Sequence, residues 1–559
     1  MPCPIWGAPP GRVGQAPQGQ NARPGVPAQL PRRRQIGAQT ARTGIVPGRP
    51  AVAADGEAVY GPALVRSFEK SGTGPAGRSA GEVSVTRMST TTPSTASANH
   101  GTGIPATRPW HRRAPWLLAA AALLSGCSTV NSMFGGSSTP AAPLGTPGYV
   151  RGFLGGAVAD EPRAALVARE ILSAGGTAVD AAVAGAFAMT VTLPSRAGLG
   201  GGGACLVYNA RLREVITVSF PAGSRSALPP GTDRPAALPL MARGLFLMHT
   251  RGGRLRFEQL VRPAENLARF GTEVSGALSE DLAVVAAPLL NDPQARRIFG
   301  ATGGGPLRGG ERLIQLDLGA TLAQLRSGGV GELYQGGLSQ RLEAASLTAG
   351  GGLTAPELRE ALAQVQEAVR VPAGNDIAFF LPAVGDGAAG TATAFQATQA
   401  GTSPFASGGI SGASAGLLTM DPEGNAVACA FSMNNLFGTG RVAEGTGVLL
   451  AAAPGLGTVP PAPLAVSLAT NNTLRGFRAA TAGTGQQAAG IAAATMMSTA
   501  LRRQPFENGF AAIPDPGRGL ALSCPSYVPR GNDSCVAAAD PRGGGVAIGS
   551  FAPVTASGR

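Results

Sequence analysis

Histidine is nearly missing from this 559-residue sequence, which holds three, at His100, His111 and His249. A catalytic triad built on imidazole, or a cluster of histidine metal ligands, therefore has almost nothing to work with. His249 lies in FLMHTRGG at the end of a helical pattern, where it reads as a capping or surface residue. The six cysteines contain no CxxC pair, so no metal site is indicated and no cofactor is expected. Lysine is represented by Lys70 alone, an arginine and alanine bias that base composition explains more simply than binding. The net charge of +13 is also uneven: residues 1–126 carry 14 basic and 4 acidic side chains, leaving the remainder close to neutral for its length. That distribution argues against nucleic acid as a partner. A glycine run, GLGGGG, lacks the GK[ST] that completes a phosphate loop, so close backbone packing before a strand is the better reading than nucleotide binding.

What is present begins with a segment of Pro, Gly, Ser, Thr and Ala. Residues 1–107 show no sustained period, and such a stretch cannot bury enough apolar surface to offset its ordering entropy, so a disordered or mis-started extension is expected. RPWHRRAPWLLAAAALLSGC follows, with Arg108, Arg112 and Arg113 ahead of an apolar run from Ala114 to Leu124 that is too short to span a bilayer as a mature helix. The tetrad ending at Cys127 resembles a bacterial lipobox. Residues 108–127 are accordingly expected to be a lipoprotein signal peptide, with Cys127 lipidated and residues 128–148 a flexible linker. Because a signal should open a chain, Met88 is the expected start. This reading places the protein in the bacterial cell envelope, attached to the membrane through a lipid and facing the periplasm. In an oxidising compartment Cys524 and Cys535 can close the loop CPSYVPRGNDSC, whereas Cys205 and Cys429, inside apolar runs, are expected to be buried thiols.

From residue 149 the pattern is globular. Asp160 can cap a helix, Pro162 suits its first turn, and Leu166, Val167, Ile171 and Leu172 form its apolar face until Gly175 and Gly176 end it. TAVDAAVAGAFAMTVT is a second helix with one charge, expected to be buried on most sides. Two strand patterns flank NARLRE, residues 240–370 read as mostly helical, and 384–413 loosen into small residues. Strands resume at 417–420 and 426–431 around DPEGN, and a small-residue helix covers 488–501.

A hydroxyl can be activated without histidine when it belongs to the first residue of a cleaved chain, whose own α-amine, with a pKa near ~8, serves as base. That arrangement calls for a cleavable flexible segment ending in Ser, Thr or Cys at a strand start. Residues 384–418, which contain Ser414 in GGISGASAGLL, have this form.

Several blocks then resemble the γ-glutamyltransferase family of N-terminal-nucleophile hydrolases over roughly residues 150–550. They are the GGAVADEPRAALVAREILSAGGTAVDAAVAGAFAMTVTLPSRAGLGGGGACLVYNA opening, the ALPLMARGLFLMHTRGGRLRFEQLVRPAENLARF middle, and DPEGNAVACAFSMNNLFGTGR with GTGVLL near the end. The resemblance implies an α+β fold, a four-layer αββα sandwich made as a precursor. It implies cleavage between Ala413 and Ser414 into a large subunit, 149–413 with a loose pro-segment at 384–413, and a small subunit, 414–559, which stay associated. It assigns Ser414 as nucleophile, Ser432 as its hydrogen-bonding partner, Asn434 as a contact to the substrate amino end, and Gly485 and Gln486 as the oxyanion-hole segment. The implied partner is a small-molecule amide, γ-glutamyl or glutathione-like, with transfer to water or an amine.

The sequence also departs from the family. Pro221 stands where the family arginine clamps the α-carboxylate, Leu456 where an acidic pair holds the α-amine, and Ala465 and Val466 where paired serines lie. Losing the arginine removes charge and fork geometry together. Arg196 and Arg225 are the remaining candidates to replace it, with a surface or structural role as the alternative for each. Two readings therefore stand: an autoprocessed enzyme acting through Ser414, or a catalytically degenerate relative serving as an envelope scaffold or binding module.

Overall fold

A computed structural model describes residues 142–225, 228–382, 389–402, 413–456 and 459–549. The expected extension, signal peptide, Met88, Cys127 and all but the end of the linker lie outside the described residues. The elements run β1 (Gly156–Ala159), α1 (Pro162–Ser173), α2 (Ala178–Thr192), α3 (Pro194–Ala197), β2 (Gly202–Asn209) and β3 (Glu214–Phe220). A helical stretch follows: α4 (Met241–Gly252), α5 (Phe257–Phe270), β4 (Thr272–Glu273), α6 (Gly276–Leu289), α7 (Pro293–Phe299), β5 (Arg312–Leu313), α8 (Leu316–Gly328), α9 (Glu332–Gln335), α10 (Gly337–Thr348) and α11 (Ala355–Glu360). Then come β6 (Gln364–Glu367), β7 (Val369–Ala373), β8 (Asp376–Phe380), α12 (Ala389–Gln399), β9 (Ser414–Met420), β10 (Ala426–Ser432), β11 (Val442–Ala443) and β12 (Val448–Leu449). The chain closes with β13 (Ala465–Asn471), β14 (Gly476–Thr484), α13 (Ala489–Leu501), α14 (Phe506–Ala512), β15 (Arg518–Val528), β16 (Val536–Ala539) and β17 (Val546–Gly549).

Two antiparallel sheets carry the architecture. The first has strand order β17-β1-β9-β10-β2-β3-β6 and the second β16-β15-β14-β13-β8-β7. Because successive side chains alternate faces, β9 and β10 feed two cores at once. Leu417, Cys429 and Phe431 join the helices α1, α2, α4 and α5, while Leu418, Met420, Ala428 and Ala430 meet Ala480, Ala482, Leu520 and Leu522 of the second sheet. The far side of that second sheet is covered by α12, α13 and α14 through Phe395, Met496, Met497 and Phe510. The result is the expected α+β sandwich with layers in the order αββα, and strands buried on both faces read as near-continuous apolar runs.

Local chemistry explains the elements next to the site. Helix α2 opens with a capping box between Thr177 and Asp180, and all of its residues are buried, as its unbroken Ala/Val/Phe composition requires. Helix α1 is capped by Glu161, whose Oε2 accepts from the Ala164 N–H at 2.8 Å. Asp160, expected to be the cap, is turned away from the helix. Leu166 is exposed, so the buried face of α1 is made by Ala164, Ala165, Val167, Ala168, Ile171 and Leu172.

Two further expectations are corrected. The segment 384–413 is not loose throughout, because α12 occupies its middle and Phe395 stacks at 5.1 Å on Phe380. Residues 383–388 and 403–412 lie outside the described residues. Cys205 and Cys429 are not free thiols: they face each other in register on β2 and β10 and form a disulfide. Apolar surroundings suited either state, and only the strand register placed the two sulfurs together. Cys524 and Cys535 are also bridged.

Candidate active site

Ser414 is the first residue of β9 and pairs across the ladder with Ser432, the last residue of β10. It shares a face with Gly416, beside which Ala482 and Leu520 of the second sheet lie, so its side chain points toward the gap between the sheets. Ser414 is 1% exposed, and its Oγ has no hydrogen-bond partner among the described residues. A buried hydroxyl left unpaired costs about 1–3 kcal/mol, so its persistence calls for a reason.

The peptide preceding Ser414 is held from the neighbouring strand. Ser432 Oγ donates to the Ala413 carbonyl at 2.7 Å and accepts the Asn434 N–H at 2.8 Å, which turns the Ser432 proton toward that carbonyl. Ser432, expected to bond the nucleophile itself, thus engages the carbonyl of the peptide bond that precedes it. Asn434 has a positive φ of 62°, a left-handed conformation that asparagine tolerates. Its side chain, expected to touch substrate, donates to the Ala452 carbonyl at 2.8 Å and accepts from Ala462 at 3.4 Å, while Asn435 lines the cavity instead.

That cavity, of about 790 Å³, brings Ala413 and Ser414 together with Thr484, Gly485 and Gln486 from the end of β14. Gly485 has φ +99°, and a β-carbon there would meet the Pro516 carbonyl oxygen at 2.1 Å, so only glycine fits this turn. The glycine run before β2 packs as expected: a β-carbon on Gly201 would lie 2.4 Å from the Ser432 carbonyl oxygen, and one on Gly203 2.3 Å from that of Ala430.

The charged groups of the cavity are largely paired with each other. Arg196 forks onto Asp281, Nε to Oδ2 at 2.7 Å and Nη2 to Oδ1 at 2.6 Å, and Ser195 Oγ donates to the same carboxylate at 2.6 Å. Burial works against the Arg196 charge, but the Asp281 hydrogen bonds outweigh it and hold its pKa above the ordinary value. Arg518 is tied to Asp515, and Arg542 to Asp540. Asp160 also lines the cavity; burial pushes its pKa up to about 6, against the lowering effect of the Gly416 N–H and Arg196.

The other sequence candidates separate. Arg225 is buried away from the cavity, forked onto Glu357 at 2.7 and 2.8 Å and donating to the carbonyls of Ala236, Gly351 and Gly352, so its role is structural. Leu456 lines the cavity, whereas Ala465 and Val466 are buried within β13. His249 meets the Leu255 carbonyl oxygen at 2.8 Å, outside the cavity. Asp160 and Asn435 escaped sequence reading; the one available signal for Asp160 was a second acid, Glu161, better placed to cap α1.

A sequence profile described as gamma-glutamyltranspeptidase matches residues 164–401. The glutathione hydrolase proenzyme of Escherichia coli K12 is 30% identical over 287 residues, 46% of this chain and 47% of its own length. The Acylase ACY 1 proenzyme of Pseudomonas sp. strain V22 is 30% identical over 240 residues, 39% of this chain and 43% of its own. The chain thus spans less than half the length of these curated relatives. The crystal structure of cephalosporin acylase from Bacillus halodurans shares the fold, with a TM-score of 0.55 at 17% identity, covering 72% of this chain and 99% of that one. Over residues 164–401 the chain is similar to the γ-glutamyltranspeptidase family, and its layered architecture agrees with the acylase fold.

Proposed function

We propose that the protein is an autoprocessed amidohydrolase or acyltransferase in which Ser414 is first the agent of its own cleavage and then the N-terminal nucleophile. The observation that carries this reading is the 2.7 Å bond from Ser432 to the Ala413 carbonyl, beside the unpartnered Ser414 hydroxyl. In the cleavage step Ser414 Oγ attacks the Ala413 carbonyl carbon, the C–N bond breaks, and the hydroxyl proton passes to the departing nitrogen. Water then hydrolyses the resulting ester and leaves a free α-amine on Ser414. In turnover that amine takes the Oγ proton as the acyl-enzyme forms and returns it to the leaving amine. Gly485 and Gln486 line the same cavity as Ser414, and their backbone N–H groups are the donors assigned to the oxyanion in this reading.

The substrate class follows the family: a γ-glutamyl or related amide, with water or an amine as acceptor, in line with relatives that are named glutathione hydrolase and acylase. Lipid attachment at Cys127 and an envelope location complete the proposal. The scaffold reading keeps one supporting observation, that the replaced anchor Leu456 presents an apolar side chain to the cavity.

The full chain, run on a reducing denaturing gel with N-terminal sequencing, separates the two. The enzyme reading expects a fragment beginning at Ser414 that Ser414→Ala abolishes, together with release of p-nitroaniline from γ-glutamyl or simple acyl anilides. A chain that stays intact under every condition sinks autoprocessing. Partition into detergent that persists in Cys127→Ser would refute the lipid anchor.

A further inference from the structure

We infer that Asp160 is a positioning residue for the α-amine that Ser414 gains on cleavage; this rests on the reading of Ser414 as an N-terminal nucleophile. The backbone fixes the relationship. Asp160 accepts the Gly416 N–H through Oδ2 at 2.6 Å and donates its own N–H to the Gly416 carbonyl at 3.2 Å, so it is clamped directly opposite Gly416. Ser414 lies two residues away on the same face of β9, about 6–7 Å along the strand. Both residues line one cavity. Among the described residues, the hydrogen bond that the Asp160 carboxyl receives is that of the Gly416 N–H, at Oδ2.

Charge balance singles out this carboxyl. The groups facing Asp160 are Arg196 from α3, Asp281 from α6 and Asp540 ahead of β17. Arg196 is forked onto Asp281, and Asp540 is held by Arg542 at 2.7 Å. Those two pairs neutralise themselves and leave Asp160 without a cation of its own, although it is buried. A buried carboxylate without a partner is costly. An ammonium at the new terminus of β9 would be its counter-charge. In the uncleaved chain that nitrogen is a neutral amide, consistent with the raised pKa of Asp160. Cleavage therefore creates the pair: the carboxylate favours the protonated amine, raising its pKa and making it the stronger base for the Ser414 proton.

The test uses the full chain and Asp160→Asn, which keeps an oxygen to accept the Gly416 N–H. The Ser414 amine is titrated by NMR after reductive methylation with carbon-13 formaldehyde, a readout independent of turnover. The variant is expected to titrate lower by about half a unit to one unit, a roughly three- to tenfold change in the proton affinity. A cleaved variant whose amine titrates with the wild type overturns the role while leaving the nucleophile reading intact. Absence of a new terminus at Ser414 in the wild type refutes that reading, and this role with it. Should the variant fail to cleave, the cleaved wild type decides: two coupled steps in the amine titration support the pair, and a single step excludes it.

Discussion

Ser432 Oγ donates a 2.7 Å hydrogen bond to the carbonyl of Ala413, the group that a nucleophilic Ser414 must attack. A donor already seated on that oxygen stabilises the charge that develops when the carbon becomes tetrahedral. Removing a single donor of this kind costs roughly a hundredfold or more in rate. Ser432→Ala is expected to slow conversion of precursor to fragments by about that factor, whereas Ser432→Thr, which keeps the hydroxyl, should convert at a rate within about tenfold of wild type. A gel time course after dilution from denaturant measures both.

The bridge between Cys205 and Cys429 joins residues on opposite sides of Ser414. If the chain is cut there, the fragments remain covalently linked. Cleaved protein should migrate as one species without reductant and as two with it; separation without reductant would show that the bridge does not form.

The same bridge encloses a separation of 224 residues, against 11 for Cys524–Cys535. Loop-closure entropy scales with the logarithm of that length, giving about 5 kcal/mol for the first and about 3 kcal/mol for the second in the uncleaved chain. Urea denaturation of the two double Cys→Ala variants in a Ser414→Ala background should rank them in that order.

Gly485 sits at φ +99° with the Pro516 carbonyl oxygen pressed against it. Gly485→Ala must displace the turn that faces Ser414, at a cost of about 1–3 kcal/mol in stability. Anilide hydrolysis should fall by tenfold or more, on the order of a 1.4 kcal/mol rise in barrier. Retention of full activity would remove this turn from the site.

Substitution of Arg225 should cost stability and leave the cavity untouched. Arg225 is buried while its partner Glu357 is 26% exposed, so Arg225→Met is expected to destabilise by about 1–3 kcal/mol, with KM unchanged in the surviving folded fraction. A KM effect without a loss of melting temperature would reverse the assignment.

Asp421 adds a pH dependence away from the cavity. Burial raises its pKa from 3.8 to about 6, although the N–H groups of Ala178 and Asn425 lower it in part. A carboxyl raised in the folded state binds its proton more tightly there than in the unfolded chain, so its stabilising contribution is complete below about pH 4 and is lost as pH rises through about 6. Asp421→Asn removes that loss. The stability difference between variant and wild type should shift in the variant's favour by roughly 1–3 kcal/mol between pH 4 and pH 7. A difference independent of pH would contradict it.

Much of this was legible in the residues. Thr177, Asp180 and the unbroken apolar run after them specify a buried helix, because no polar face exists to turn outward. The scarcity of histidine removed the commonest base, and the small-residue segment before the strand at 417–420 supplied an alternative. Other features were not legible, because they depend on register. Cys205 and Cys429 read as separate buried thiols until β2 and β10 were paired. Asp160 read as a cap until β9 offered it the Gly416 N–H. Arg225 read as a possible clamp until Glu357, 132 residues away, claimed both of its forks.

Sequence alone therefore determined most of the element types, since periodicity and capping are local properties, while the layered class and the candidate nucleophile came from the family resemblance. Tertiary structure decided which charges are already paired, which sulfurs meet and which carbonyl Ser432 holds. Those are distances between residues far apart in the chain, and no local pattern encodes them.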